Sequence, residues 1–204
     1  MMILEKRKIM TVLDKEVEYR PLLMIIPRKR QDQEKDLHKD YQYMPWQDSM
    51  KEEWIQLHLE TGLFDSFEEG KTCLDTFLEE KEVFIKQFVF VCDVQGHLIA
   101  SAGLWKGNHF GIERLRIHYV SVSQKAQHKG IASSMVSHLI RLYDEMPSKY
   151  PLYLATQTNS YGAIAMYAHL GFTPYLGEWK NCTKEESERN WELATEILRE
   201  KSQK

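Results

Sequence analysis

The sequence has little cysteine, and its three cysteines do not suit a disulfide framework. Cys73, Cys92 and Cys182 include no CxxC pair, and an odd number of thiols cannot all be joined to one another. This excludes the class of small secreted domains that disulfides hold together. A reducing cytoplasm is therefore the expected location.

The chain also lacks long apolar runs and an excess of positive charge. No run approaches the roughly 20 residues that a membrane helix needs, and charged residues at 5–8 interrupt the apolar start, so we expect no secretory signal. The net charge of −3 argues against nucleic-acid binding, which needs a concentrated basic face. We therefore expect neither a membrane nor a nucleic acid as partner.

What is present suits one α/β domain. Hydrophobic residues make up 43% of the 204 residues, which is enough for the core of a single domain spanning residues 1–204. The sequence contains no internal repeat and no low-complexity linker, so a second domain is not expected.

Residues 116–132 hold the most informative pattern: a strand, a loop and the beginning of a helix. β-forming residues fill 117–122, and polar residues at 123–125 interrupt them. Apolar residues then recur at helical spacing from Ile131 through Tyr143. A strand that leads through a glycine into a helix directs several backbone N–H groups at one point, and the helix dipole adds positive potential. The pattern is typical of a phosphate-binding loop.

Gly130 is the residue on which this interpretation depends. Glycine allows positive φ and the close approach of a ligand, while Ala132 and Ser133 keep the first helical turn free of bulk. His128 and Lys129 add cationic or polarisable groups beside the loop. Alone the pattern is weak, because a glycine before a helix is more often a packing or turn glycine.

A second strand and helix follow at residues 152–170, and the chain reads Tyr-Ala-His-Leu-Gly-Phe at 167–172. Together with the loop, this order of motifs resembles the GCN5-related N-acetyltransferase (GNAT) family. In that family a Gln/Arg-x-x-Gly-x-Gly/Ala loop holds the pyrophosphate of acetyl-CoA, and a Tyr-x-x-x-Gly-Phe segment follows. The resemblance covers residues 88–172 well and the earlier residues in outline.

The resemblance implies an α/β fold with a GNAT-like mixed central sheet, flanked by helices on both faces. We expect an N-terminal strand extension and an extra C-terminal helix in addition. The implied reaction transfers an acetyl group from acetyl-CoA to an amine, without a metal, by direct attack through a tetrahedral intermediate. Residues 1–40 would supply the N-terminal strands and a charged loop, 41–87 acceptor-side helices, 88–175 the acetyl-CoA-binding core, and 183–202 the C-terminal helix.

The same resemblance implies roles for individual residues. Tyr167 would protonate the departing thiolate as general acid, and the alternative is a packing tyrosine. Asn159 would either cap the second helix or contact the cofactor, and capping is the more common role. Val120 and Val122 would act only through their main chain. The expected acetyl-CoA-binding residues are Val120, Val122, Gln127, His128, Lys129, Gly130, Ile131, Ala132, Ser133, Asn159 and Ala163.

The resemblance does not supply a general base. In several family members a glutamate on the organising strand has this role, but the equivalent position here is Arg116, which stays protonated at neutral pH. Strand alternation puts His118 on the same face as Arg116 and Val120, and histidine titrates in the right range. His118 is therefore the candidate base. A purely structural histidine and a water-mediated route are the alternatives.

Weaker local signals concern the N-terminal part of the chain. Strand patterns at 9–13 and 17–26 could form a hairpin that turns at residues 14–15, and Pro21 suggests an edge strand or a kink. Residues 28–40 carry both signs of charge. They indicate a solvated loop or a polar helix rather than a loop that binds a partner.

Three capping boxes predict helix starts: Ser49 with Glu52, Ser66 with Glu69, and Thr183 with Glu186. The first helix should stop near Gly62. Antiparallel strands are expected at 88–92 and 98–105, with Cys92 as a small buried hydrophobe. Residues 175–180 are the only room for the strand with which the family usually finishes.

Acidic residues of the second helix could attract a cationic amine, although a solvated helix face is the more common explanation. They are Glu68, Glu69, Asp75, Glu79 and Glu80.

Functions of other classes stay open beside acetyl transfer. A non-catalytic acyl-CoA-binding or sensing domain would keep the phosphate loop without turnover, and Arg116 in the usual position of the base favours it. A nucleic-acid-binding module is disfavoured by the net charge. The sequence identifies neither the amine acceptor nor the oligomeric state, a homodimer included.

Overall fold

Seven strands form one sheet in the computed structural model of the protein, which describes residues 13–27 and 34–203. In chain order the strands are β1 Pro21–Ile26, β2 Tyr41–Met44, β3 Phe88–Asp93, β4 Leu98–Gly107, β5 Arg114–Val122, β6 Leu152–Gln157 and β7 Thr173–Pro174. Their order across the sheet is β2-β3-β4-β5-β6-β1-β7. The β5–β6 pair is parallel and the other neighbouring pairs of the described chain are antiparallel, so the sheet is mixed.

Helices cover both faces of this sheet. They are α1 Lys51–Glu60, α2 Phe67–Glu79, α3 Lys81–Gln87, α4 Ile131–Glu145, α5 Tyr161–His169 and α6 Lys184–Ser202. Side chains of α4, α5 and α6 pack into one apolar core. Those of α1, α2 and α3 pack into a second core with aromatic residues of β3 and β4. The prediction of a mixed sheet with helices on both faces, an N-terminal strand and a C-terminal helix is confirmed.

The N-terminal strand β1 lies inside the sheet, between β6 and β7. Pro21 pairs with Gln157 of β6, whereas β7 pairs only with Met24 and Ile25. The expectation of an edge strand is therefore wrong. Proline is tolerated here because it is the first residue of the strand and β7 is too short to reach it.

The predicted strand at 17–26 is shorter in the structure, because residues 17–20 precede β1. The candidate strand at 9–13 lies outside the described residues apart from Leu13. Residues 28–33 of the charged segment also lie outside them. Residues 34–38 form no helix; they are a loop that packs on α4, where Glu34 Oε1 lies 2.6 Å from His138 Nδ1.

Two of the three predicted helix caps are confirmed. Ser66 accepts a hydrogen bond from the Glu69 backbone N–H at the start of α2. Thr183 and Glu186 form a complete capping box at the start of α6. Ser49 is not a cap, because a 3₁₀ turn includes it and runs directly into α1.

The remaining local predictions concern strands and helix ends. α1 ends two residues before Gly62, which has a φ of +74°, and β3 and β4 occupy the predicted positions. Cys92 is fully buried, as expected. The sequence did not predict α3 as a separate helix. Residues 175–180, the only room for a further strand, contain none, and β7 lies just before them.

The acidic residues of the second helix are all exposed, as a solvated helix face predicts. Glu80 lies just after α2 and pairs with Lys106 at 2.5 Å. Glu69 accepts a hydrogen bond from the Asp65 backbone N–H at 2.8 Å. The carboxylates of Glu69 and Glu80 are therefore already bound to other groups of the chain.

Candidate active site

Strands β5 and β6 separate near the middle of the sheet. Their ladder consists of two pairs, Arg116 with Tyr153 and Ile117 with Leu154, although both strands continue beyond these residues. Ala155, the next residue of β6, is exposed although β6 is an interior strand. The strands therefore diverge and leave an opening between residues 118–122 and 155–157, which we call the β5–β6 wedge.

A β-bulge in β5 lies at the beginning of the wedge. The register with β4 shifts between Ser101 and Gly103, so that Tyr119 and Val120 stand opposite one residue of β4. Tyr119 has a φ of +50°, which is uncommon for a residue other than glycine. Its ring packs on Trp54 of α1, with ring centroids 6.0 Å apart. Aromatic packing from α1 thus supports the strained residue.

The bulge reverses the alternation of side chains beyond it. Arg116 and His118 share a face, as predicted, and a hydrogen bond joins their side chains. The prediction that Val120 shares that face is wrong, because Val120 packs against the opposite core, beside α4. One inserted residue moves every following side chain to the other face of a strand.

The loop before α4 enters the helix through a glycine in the left-handed conformation. Gly130 has a φ of +76°, and a Cβ atom added there would meet no protein atom within 4 Å. The first turn of α4 contains Ala132 and Ser133 and no acidic residue. Ile131 is only 1% exposed, so its contribution to binding is limited to its backbone. The N–H groups of a first helical turn have no partner within the helix and are free to point at a ligand.

Side chains of the loop hold it in place. Gln127 Nε2 donates a hydrogen bond to the carbonyl oxygen of Val122 at 3.2 Å, which ties the loop to the end of β5. Lys129 Nζ donates to the hydroxyl of Tyr41 at 2.5 Å and lies over its ring. His128 is exposed and has a φ of +63°. Two residues with positive φ, His128 and Gly130, therefore lie between β5 and α4.

Helix α5 presents Tyr167 and Ala163 to the core that it shares with α4. Burial raises the pKa of the Tyr167 hydroxyl well above its ordinary value. Asn159 is not the cap of this helix, contrary to expectation, because the capping position is Ser160. The Asn159 Oδ1 atom is buried and has no hydrogen-bond partner among the described residues.

Arg116 and His118 are engaged with each other. Arg116 Nη2 lies 2.6 Å from His118 Nε2. Burial and the guanidinium lower the pKa of His118 well below its ordinary value, so the imidazole is neutral. Arginine can only donate, so Nε2 accepts and Nδ1 carries the proton of the ring. His118 then has no lone pair left for an amine, which argues against its predicted role as base.

Comparison with known proteins identifies the family. A model of the acetyltransferase (GNAT) family matches residues 32–172, which is more than half of the chain. The chain belongs to the GNAT family. A comparison with curated proteins finds no match.

Solved structures share the GNAT fold at low sequence identity. A GCN5-related N-acetyltransferase from Sphaerobacter thermophilus is 16% identical with a TM-score of 0.59, over 77% of this chain and 50% of that one. A GNAT acetyltransferase from Colwellia psychrerythraea is 13% identical with a TM-score of 0.56, over 78% and 54%. A glucosamine N-acetyltransferase region of a fungal multi-domain β-N-acetylglucosaminidase is 14% identical with a TM-score of 0.53, over 80% of this chain and 20% of that one. The chain spans about half the length of the first two.

Three side chains that the sequence did not point to, His109, Tyr153 and Trp179, form one group in this GNAT domain, and Tyr153 pairs with Arg116 across the strands. His109 Nδ1 lies 3.3 Å from the hydroxyl of Tyr153, and the ring of Trp179 lies 5.8 Å from that of His109. Burial, Arg116 and Lys180 lower the pKa of His109 to about 4. These residues come from three separate loops and strands, and no local motif links them.

The α1–α2 side of the GNAT site is aromatic. Tyr119 packs among Phe64 and Phe77, and Cys73 Sγ donates a hydrogen bond to its hydroxyl at 3.1 Å. Burial raises the pKa of the Cys73 thiol, so it stays protonated. Within residues 13–27 and 34–203, no three His, Cys, Asp or Glu side chains come together as a metal site would require. No helix of these ranges is both long and apolar enough to cross a membrane.

Proposed function

We propose that the protein transfers an acetyl group from acetyl-CoA to an amine. The observation that carries the proposal is the continuity of two features. The loop with the open glycine at the start of α4 follows directly from the strand that opens the β5–β6 wedge. A ligand with phosphates at the loop would therefore extend its other end into the wedge. Family membership supports the same conclusion.

The residues at the start of α4 fit a pyrophosphate. The backbone N–H groups of residues 131–133 and the dipole of a helix of 15 residues favour a negative charge there. The absence of acidic residues from the first turn of α4 removes a competing charge. Gly130 leaves open space where any other residue would place a Cβ. Lys129 and His128 are exposed beside this space.

The wedge fits the extended, amide-containing arm of coenzyme A. Val120 and Val122 lie beyond the last β5–β6 pair, on the strand that borders the opening, and their main-chain groups could pair with the arm as a strand would. The buried Asn159 Oδ1 lacks a donor, and an amide N–H of the arm would supply one. Backbone N–H groups at the bulge would stabilise the oxyanion of the tetrahedral intermediate.

Tyr167 is the proposed general acid. Its raised pKa keeps the hydroxyl protonated at neutral pH, and a departing thiolate in the same low-dielectric surroundings is strongly basic. Tyr167 and Ala163 lie one turn apart on α5, on the face directed at the core. The role of Ala163 is to leave room beside the arm. The Tyr167 hydroxyl is the proton donor that α5 places in this core.

The strand β5 supplies no general base in this proposal. Arg116 stays protonated, and His118 has no free lone pair. The amine would therefore reach the site after losing its proton to solvent, or through a chain of waters. A lysine-like amine is neutral in only about one molecule in a few thousand at pH 7, so turnover should rise with pH until the amine is deprotonated.

The lack of a base on β5 also favours an alternative, a non-catalytic domain that binds or senses acyl-CoA. Two measurements separate the two functions. Calorimetry with acetyl-CoA should give saturable binding in both cases. Thiol release from acetyl-CoA, followed with a panel of amines from pH 7 to 9, should depend on the amine and rise with pH only in the enzyme. Binding without amine-dependent release would favour the sensing domain.

A further inference from the structure

Arg116 is a largely buried cation without a carboxylate partner. No ion pair of the described residues includes it. One guanidinium nitrogen donates to His118, while the buried Nε has no hydrogen-bond partner in the described chain. Burying an unpaired charge is costly, and proteins normally compensate it with an opposite charge. The site therefore lacks an anion.

A second orphaned donor lies beside His109. The Nε1 atom of Trp179 is buried without a partner among the described residues, and its ring is next to that of His109. Arg116 acts electrostatically on the same histidine. Each unpaired buried donor needs an explanation, and one acceptor group beside this histidine would give both donors a partner.

The electrostatic surroundings of this group are positive. The charged side chains that act on His109 are Arg116 and Lys180, and both are cations. Those that act on His118 are Arg116 and other histidines. Within residues 13–27 and 34–203, no carboxylate is among the groups that shift the pKa of either histidine. An oxyanion would be the complementary charge, and the planar fork of arginine suits a carboxylate or a phosphate.

The position of Arg116 connects this anion site with the proposed reaction. Arg116 belongs to the first of the two β5–β6 pairs, so it lies two residues before the wedge. His118, two residues further on, stacks on Tyr119, with ring centroids 3.8 Å apart. Tyr119 is part of the bulge and packs on α1 and α2. Two residues of a strand span about 7 Å, so one small molecule could contact both the guanidinium and the wedge.

We propose that the acceptor is a small amine that also carries an oxyanion, a carboxylate or a phosphate, and that Arg116 and the Trp179 Nε1 group bind this oxyanion. The inference rests on the proposed acetyl transfer and adds the class of acceptor. The oxyanion holds the acceptor on β5, and the amine is directed at the wedge. Arg116 is then a substrate-binding residue in the position where a base was expected.

The test measures thiol release from saturating acetyl-CoA with matched pairs of acceptors. One arm compares L-amino acids with their carboxamides, and the other compares glucosamine 6-phosphate with glucosamine. The wild-type protein should prefer the anionic member of one pair by about thirtyfold in kcat/KM, the lower range for truncating a buried charge pair. The pair of acceptors that shows the preference identifies the oxyanion as a carboxylate or as a phosphate. Equal rates for both members of both pairs overturn the inference.

Three variants separate anion binding from a structural role. Arg116→Met should abolish the preference, because KM for the anionic acceptor should rise much more than KM for its neutral partner. Trp179→Phe should reduce the preference in part, and it provides a second test if Arg116→Met does not fold. The control Arg141→Met removes an exposed arginine of α4 and should change nothing. Equal loss with neutral and anionic acceptors in both site variants would assign Arg116 to the fold and overturn the inference.

Binding of acetyl-CoA distinguishes this failure from a failure of the proposed function. If wild-type protein binds acetyl-CoA and acetylates neutral and anionic amines alike, only the inference about the acceptor is overturned. If calorimetry finds no binding of acetyl-CoA, the proposed function is overturned and the inference with it.

Discussion

Replacing Gly130 by valine tests whether the loop before α4 binds the phosphates of acetyl-CoA. Gly130 has a φ of +76°, and no protein atom lies within 4 Å of an added Cβ. The new side chain would therefore occupy only the space that the ligand needs. We expect affinity for acetyl-CoA to fall at least tenfold, or about 1.4 kcal/mol.

The backbone conformation itself adds a cost that a control must remove. A residue with a Cβ in the left-handed region destabilises a fold by about 1–2 kcal/mol. Gly96, in the turn between β3 and β4, has a φ of +89° and also has no atom within 4 Å of an added Cβ. Gly96→Val therefore imposes the same kind of strain away from the loop.

Calorimetric titration of acetyl-CoA into both variants, with thermal melting as a check of folding, makes the comparison. Both should melt a few degrees lower than the wild-type protein, since about 1 kcal/mol corresponds to roughly 2–4 °C at this size. Only Gly130→Val should lose affinity. Wild-type affinity in folded Gly130→Val, or an equal loss in Gly96→Val, would refute the assignment of the loop.

Three further predictions concern single side chains. Tyr167→Phe should lower turnover by about 10²-fold while affinity for acetyl-CoA and melting temperature hold; unchanged turnover in steady-state kinetics would remove Tyr167 from the mechanism. His118→Asn should leave the pH–rate profile unchanged between about pH 6 and 8, because the imidazole is already neutral there; a lost acidic limb would contradict this. Burial lowers the pKa of His58 to about 4, below its value of about 6.5 in an unfolded chain. Between these two values the unfolded chain binds a proton that the folded protein does not. The free energy of unfolding should therefore be highest above pH 6.5 and fall by about 1.4 kcal/mol per pH unit toward pH 4. Urea unfolding at several pH values should show this slope, and His58→Gln should flatten it.

Local signals in the sequence were sufficient for most of the fold. The capping residues Ser66 and Thr183 and the glycine before α4 act within one or two turns of the chain, and the structure has them where the sequence predicts. Apolar periodicity identified β3, β4 and α4 for the same reason. Ser49 failed because a 3₁₀ turn and a cap share the same sequence signal.

Long-range packing decided the features that the sequence missed. The place of β1 between β6 and β7 depends on pairing with residues more than a hundred positions away. The bulge at Tyr119 depends on the aromatic side chains of α1 and α2. Without the bulge, the side chains of Val120 and His118 would lie on the same face of β5. The group around Arg116 likewise joins residues from distant segments. Strand alternation alone therefore predicted a free imidazole for His118, whereas its Nε2 is hydrogen-bonded to Arg116 in the structure.

The most direct test of acetyl transfer is to follow the acetyl group itself. Acetyl-CoA with a deuterated acetyl group is incubated with the protein and the amine panel, and products are identified by mass spectrometry. The account predicts a deuterated acetamide on at least one amine, formed faster with wild-type protein than with Gly130→Val or Tyr167→Phe. Tight binding of acetyl-CoA with no labelled amide on any amine would contradict it.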